Sequence, residues 1–190
     1  MLDGVLSFLK DRLNNYLKVK TGVEGFEVVF AQERNPREIT LPKEALTALL
    51  VNLEEERIFR SGANYQKERA SLPSNQTVNP HLYLNVYILF VANFTSYTLS
   101  LKLLSLIISF FHSHRIFDSQ NSPSLGFEIE KLAIELVNLP FEDQKDIWSL
   151  LGNSYLPSAL YKVRMIVLED LDSLDVEADV TKAEVFSAPM

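Results

Sequence analysis

The chain has 190 residues, no cysteine and a formal net charge of −7. That length supports one domain able to bury roughly 70% of its unfolded surface without covalent staples, and the lack of cysteine excludes disulfide frameworks, thiolate zinc sites and cysteine nucleophiles. Scattered lysines and arginines in an acidic chain form no basic stripe for a phosphate backbone, which argues against nucleic acid as a partner.

In chain order, Leu2, Val5, Leu6, Leu9, Leu13, Tyr16 and Leu17 recur at helical spacing and predict an amphipathic helix that ends before Gly22. Asp3, Lys10, Asp11 and Arg12 interrupt any apolar run there, so it does not read as a signal peptide. Residues 23–32, VEGFEVVFAQ, are short and β-prone and predict a strand. Residues 41–60 admit two readings. Pro42, Lys43 and Glu44 can start a helix carrying Leu46, Leu49, Leu50 and Leu53, or Leu46, Ala48 and Leu50 can alternate with Thr47, Leu49, Val51 and Leu53 on a strand buried on both faces. Periodicity leaves both open. Residues 61–80, punctuated by Gly62, Pro73 and Pro80, form a long polar loop.

Residues 79–94, NPHLYLNVYILFVANF, alternate Leu82, Leu84, Val86, Ile88 and Phe90 with Tyr83, Asn85, Tyr87, Leu89 and Val91, a strand with both faces covered. After Ser96 the pattern changes to a helix over 96–112. Thr98, Lys102, Ser105, Ser109 and His112 stack into one polar stripe. Tyr97, Leu101, Leu104, Ile108 and Phe111 form the central apolar seam, with Leu103, Leu106, Ile107 and Phe110 beside it. Asn85, Asn93, Ser96, Thr98 and Lys102 break the region well short of the ~20 apolar residues a spanning helix needs, so this is no membrane hairpin. A helix apolar around most of its girth is covered by its own sheet and by a second surface. This makes Leu103, Ile107 and Phe110 candidate contacts with a neighbouring subunit.

Residues 130–139 alternate Leu132, Ile134 and Leu136 with Lys131, Ala133 and Glu135, and residues 160–170 alternate Tyr161, Val163, Met165 and Val167 with Lys162 and Arg164. Both read as antiparallel strands with one wet face. Between them Pro140, Glu142 and Asp143 start a short helix with Ile147, Trp148 and Leu151 on its apolar face, and Gly152 stops it.

Little in the chain speaks for chemistry. His112, His114 and Asp118 bind a metal only if a loop curls them together, and the simpler reading ends the polar stripe at His112 and leaves His114 on an exposed exit loop. Glu54, Glu55 and Glu56 precede Arg57; on a strand Glu54 and Glu56 point one way and Glu55 the other, which favours a solvated or subunit-bridging charge cluster over an acid/base pair. There is no G-x-S-x-G, H-E-x-x-H or glycine-rich phosphate loop. The chain is read as non-enzymatic, without cofactor or metal.

The segments VNLEEER (51–57), NPHLYLNVYILFVANF (79–94), LKLLSLIISFF (101–111), EKLAIELVNLPFEDQKDIWSLLG (130–152) and YLPSALYKVRMIVLED (155–170) occur in an order that resembles one family. It is that of the cap, or tube-terminator, proteins of extracellular contractile injection systems of the antifeeding prophage and Photorhabdus virulence cassette type, similar in role to phage tail terminators. The resemblance spans about residues 2–170. It implies that 45–57 is a strand. The implied fold is α+β, a mostly antiparallel or mixed sheet packed by the N-terminal helix and two further helices. It implies a structural role as a homo-hexameric ring that stops the inner tube and holds the last layer of contractile sheath, assembled in the bacterial cytoplasm and then part of the particle. Its partners would be other copies of the chain, the inner tube protein and the sheath protein, with a second cap component left open. Glu54, Glu55, Glu56 and Arg57 become candidate contacts around the ring, Asn79, Pro80, Tyr83 and Asn85 the strand entry, and Tyr155, Leu156, Pro157 and Ser158 the turn into the last strand. His81 departs from the small or apolar residue expected there. The competing reading is a monomeric protein-binding adaptor or scaffold domain.

A single domain is thus expected over residues 1–170, followed by an extended arm over 171–190. The arm's first half is acidic, with Asp172, Asp175, Glu177 and Asp179, and cannot bury itself. Its second half holds Val185 and Phe186 in a β-prone segment suited to adding a strand to a sheet edge.

Overall fold

A computed structural model describes residues 1–35, 38–56, 82–126 and 129–167. Helix α1 (Leu2–Thr21) buries Val5, Leu9, Leu13 and Leu17 at successive four-residue steps along one stripe. It ends where Gly22 adopts a left-handed φ of 67° and donates its N–H to the Lys18 carbonyl at 3.0 Å. Strands β1 (Val28–Phe30), β2 (Gln32–Asn35), β3 (Glu38–Thr40), β4 (Ala45–Glu55) and β5 (Leu82–Asn93) follow, then helix α2 (Tyr97–Ser113), strands β6 (Ile116–Asp118) and β7 (Ile129–Leu136), helix α3 (Phe141–Leu150) and strand β8 (Ser158–Val167). The main sheet runs β1-β4-β5-β8-β7-β6, and β2 and β3 form a separate ribbon. Among the described strands only β1 and β4 pair in parallel; the other neighbouring pairs are antiparallel. This is the α+β architecture with a mixed sheet that the sequence predicts.

The alternation of β5 settles into two cores. Leu84, Val86, Ile88, Phe90 and Ala92 face α1 and α2, while Leu89 and Val91 face the opposite side, where they meet Leu160 and Trp148 of α3. Central strands covered on both faces carry near-continuous apolar runs, which is why this stretch reads as unusually greasy. Segment 45–55 is a strand, with Leu46 and Ala48 turned toward the main core.

Two strand expectations change. The strand expected over 23–32 keeps only Val28–Phe30 in the main sheet, because a turn at Glu24–Gly25, with Gly25 at φ 120°, precedes it and the chain leaves after Phe30 to build the β2–β3 ribbon. The exit loop after α2 contains β6, held against β7 by the buried ring of Phe117.

Helix α2 carries the main correction. Its polar stripe of Thr98, Lys102, Ser105, Ser109 and His112 is exposed as expected, and Ser96 caps its first turn by accepting from the Leu99 N–H. The candidate subunit contacts Leu103, Ile107 and Phe110 are instead buried inside the chain's own core. The second surface that covers α2 is α1: the Phe110 ring lies 5.1 Å from Tyr16 of α1, while Phe111 packs 4.7 Å from Tyr161 of the sheet. The expected seam therefore splits. Leu104 and Phe111 are buried, and Tyr97, Leu101 and Ile108 face outward.

Candidate assembly interface

At its acidic end β4 turns Glu54 onto the sheet face opposite α1 and α2. A bulge between Leu50 and Asn52 decides this. Before it, Leu46, Ala48 and Leu50 share the inward side with Ala92, Phe90 and Ile88; after it, Leu53 and Glu55 take that side, opposite Val86 and Leu84. Asn52 and Glu54 are thereby moved to the outer face, opposite Tyr87 and Asn85. The pattern expected for the triad holds: Glu54 and Glu56 share a face, and Glu55 takes the other.

On the outer face these carboxylates are committed to neighbours. Glu54 accepts from the Tyr87 hydroxyl at 2.9 Å and from the Asn52 amide at 3.0 Å, and Glu56 accepts from the Asn85 amide at 2.9 Å. Asn85 is buried, and its Oδ1 has no hydrogen-bond partner among the described residues. Burial first, then the bond to the Glu54 carboxylate and the charges of Glu54 and Glu56, push the Tyr87 phenol above its ordinary pKa. Its proton therefore stays in place as a donor. The Lys162 ammonium sits 5.8 Å from the Tyr87 ring centre, and Arg164 donates to Glu135 at 3.1 Å. The Arg164–Glu135 pair is about half exposed and contributes no more than about 1 kcal/mol. Together the four strands present a polar, hydrogen-bonding face with carboxylates at one end and mixed charges across it. Sequence reasoning missed Tyr87, Lys162, Arg164 and Glu135 as parts of it, although the wet-face assignment of Lys162, Arg164 and Glu135 was the available signal.

Of the other predicted residues, Arg57, Asn79, Pro80, Val185 and Phe186 lie outside the described residues. His112 accepts from Arg115 at 3.0 Å, His114 stacks on Phe110 with its Nδ1 3.0 Å from the Phe110 carbonyl, and Asp118 accepts the backbone N–H groups of Gln120 and Asn121 at 3.0 Å. Each of the three is engaged locally. Among the described residues no group of three His, Asp or Glu side chains is placed to hold a metal ion, and no helix is long and apolar enough to cross a membrane. Leu156 and Pro157 lead into β8, and the Pro157 carbonyl accepts from the Ala92 N–H at 2.9 Å, which joins the turn to the end of β5.

Among solved structures the chain is similar to the sheath/tube terminator of an extracellular contractile injection system, PVC, determined by cryo-electron microscopy in the extended state, with a TM-score of 0.57 and 13% identity. The likeness covers 100% of this chain and 65% of that one, so this chain spans about two-thirds of the terminator's length. Among curated proteins nothing matches. Residues 4–182 match the family described as the Pvc16 N-terminal domain, and the chain belongs to that family.

Proposed function

We propose that this protein is a non-enzymatic structural terminator: a homo-hexameric ring that closes the inner tube and anchors the last sheath layer of a contractile, phage-tail-like particle. The observation that carries the reading is the family match over residues 4–182, joined to a fold likeness with a sheath/tube terminator along the whole chain. The geometry agrees with a structural role, because the carboxylates of the outer face are spent on cross-strand hydrogen bonds rather than gathered around an open pocket. In this reading the tube and sheath proteins are the partners, with room for a second cap component. Glu54, Glu55, Glu56 and Arg57 contribute contacts, and the arm over 171–190, with Val185 and Phe186, reaches the sheath or a neighbouring copy. Assembly takes place in the bacterial cytoplasm, before the ring becomes part of the particle. Matching the tube's symmetry in a closed ring leaves no lateral site for further growth.

Cryo-electron microscopy of isolated particles tests this. A sixfold ring of this chain on one tube end is expected, with tubes of uncontrolled length when the chain is deleted. A tube end bearing a plug of other symmetry, or no density from this chain, would sink the reading, and a stable monomer bound to an unrelated protein would favour an adaptor.

A further inference from the structure

The main sheet ends in two short strands, β1 on one side and β6 on the other. The outward backbone groups of an edge strand are a template on which another molecule can lay a strand of its own. At both ends an asparagine side chain meets them, and its amide carries the same acceptor and donor as a peptide group. The device is most complete on β6. The Ile134 N–H bonds to the Arg115 carbonyl, so by alternation Phe117 faces β7 and the backbone groups of Ile116 and Asp118 face outward. Asn121 reaches back over them. Its Nδ2 donates to the Ile116 carbonyl at 3.3 Å, and its Oδ1 accepts from the Asp118 N–H at 3.1 Å. The Asp118 carbonyl accepts from the Ser122 N–H at 2.9 Å. Asp118 itself sets the turn that brings Asn121 there, because its carboxylate accepts from the N–H groups of Gln120 and Asn121.

At the other end Asn14 of α1 exchanges both hydrogen bonds with Val28, as a residue of an antiparallel neighbour does. A third asparagine acts where β4 runs on past β1. There Glu56 bonds to Tyr83 of β5, so the Leu53 N–H faces outward, and Asn52 Oδ1 accepts from it at 2.9 Å beside the bulge. Asparagine is a poor strand former, yet one sits at each place where a foreign strand would join. The outward groups that remain at the two ends, those of Phe30 and the Ile116 N–H, are isolated, and a ladder needs successive bonds. We infer that Asn14 and Asn121 close both ends of the main sheet to strand addition, so that copies of this chain and its partners meet it through side chains and never by lengthening this sheet. An arm from a neighbouring copy then has no strand position at either end. The inference does not depend on the ring reading; it supplies a physical reason for a stop, since a subunit with filled edges offers the next one no backbone template.

Asn121 is exposed on a turn, so Asn121→Leu keeps the volume and opens the β6 edge without disturbing the core. In the free full-length chain, without tubes, this variant is expected to self-associate at least tenfold more strongly than the native chain in sedimentation, with an infrared signature of intermolecular β-sheet. Adding Ile116→Pro removes the outward donor of the same edge and leaves the pairing with β7 intact, and should return association to the native level. Combining Asn121→Leu with Asn14→Leu opens both ends and should turn dimers into longer chains. Native-like association of Asn121→Leu would overturn the inference. So would association that Ile116→Pro leaves unchanged, because the variant would then be aggregating by another route. Dimers that do not lengthen in the double variant would overturn the part assigned to Asn14. All of these results leave the tube ends, and with them the terminator reading, untouched.

Discussion

Ile107 and Leu101 stand on the same helix and have nearly the same apolar character, yet the first is fully buried and the second is exposed. Replacing Ile107 by Asp places a carboxylate against α1 and the sheet with no partner, which costs about 4 kcal/mol or more. Ile107→Asp is therefore expected to yield an unfolded or aggregated chain, whereas Leu101→Asp should shift stability by about 0.5 kcal/mol or less. Thermal unfolding of the two variants, followed by circular dichroism, compares them directly. Equal losses would show that the two faces are not distinguished in this way. Tyr161 sets a different limit. Its burial in the main core pushes the phenol from its ordinary 10.0 up to about 12. Because the folded value lies above the unfolded one, the stabilisation is fully present below pH 10 and is lost as pH rises through 12. The loss is on the order of 3 kcal/mol. Alkaline unfolding over that window should be shallower in Tyr161→Phe once each curve is referred to its neutral-pH stability; identical pH dependence in the two proteins would contradict the assignment.

At the scale of elements, the short edge strand β1 is held by a side chain from a helix. In a parallel pair the N–H and C=O of alternate residues point to the same side; Glu27 turns toward β4, where its carbonyl accepts from the Leu46 N–H, so those of Val28 face the open edge. Asn14 of α1 occupies that edge. Its Oδ1 accepts from the Val28 N–H at 2.7 Å and its amide donates to the Val28 carbonyl at 3.3 Å. One asparagine thus fastens α1 to the sheet and closes an edge that would otherwise template another strand. Asn14→Leu keeps the volume and removes both bonds, leaving two backbone groups without partners at a cost of about 1–3 kcal/mol. The expected sign is faster amide exchange at Val28 with little change in β5 or β8. Unchanged exchange at Val28 would show that β1 is held by its pairing with β4 alone.

For the whole molecule, the described fold is complete at Val167, the last residue of β8, which pairs with Leu82 and with Ile129. Among the described residues both cores are closed by the time the chain reaches Val167, itself a core residue. Removing residues 174–190 is therefore expected to leave the melting temperature of the subunit nearly unchanged. If the arm reaches the sheath as proposed, the truncated chain should still close tubes but release extended sheaths more readily, which counting contracted particles by electron microscopy measures. Equal retention of extended sheaths would reduce the arm to a solubilising end.

Much of this architecture is local information and was legible in the residues. The four-residue steps from Val5 to Leu17 and the stop at Gly22 define α1, the alternation in β5, β7 and β8 assigns each residue to a face, and the parity of Glu54, Glu55 and Glu56 follows from the strand repeat. A period reports which residues share a face, but not what covers that face. Hence the sequence shows α2 as apolar nearly all round, but not that Leu103, Ile107 and Phe110 are covered within the chain, Phe110 by Tyr16 of α1, more than eighty residues earlier. The parallel pairing of β1 with β4 and the bulge between Leu50 and Asn52 were likewise decided only when distant strands met. That bulge turns Glu54 toward Tyr87 and Glu56 toward Asn85. A strand's own alternation cannot announce one extra residue, because the shift exists only relative to the register of its neighbour.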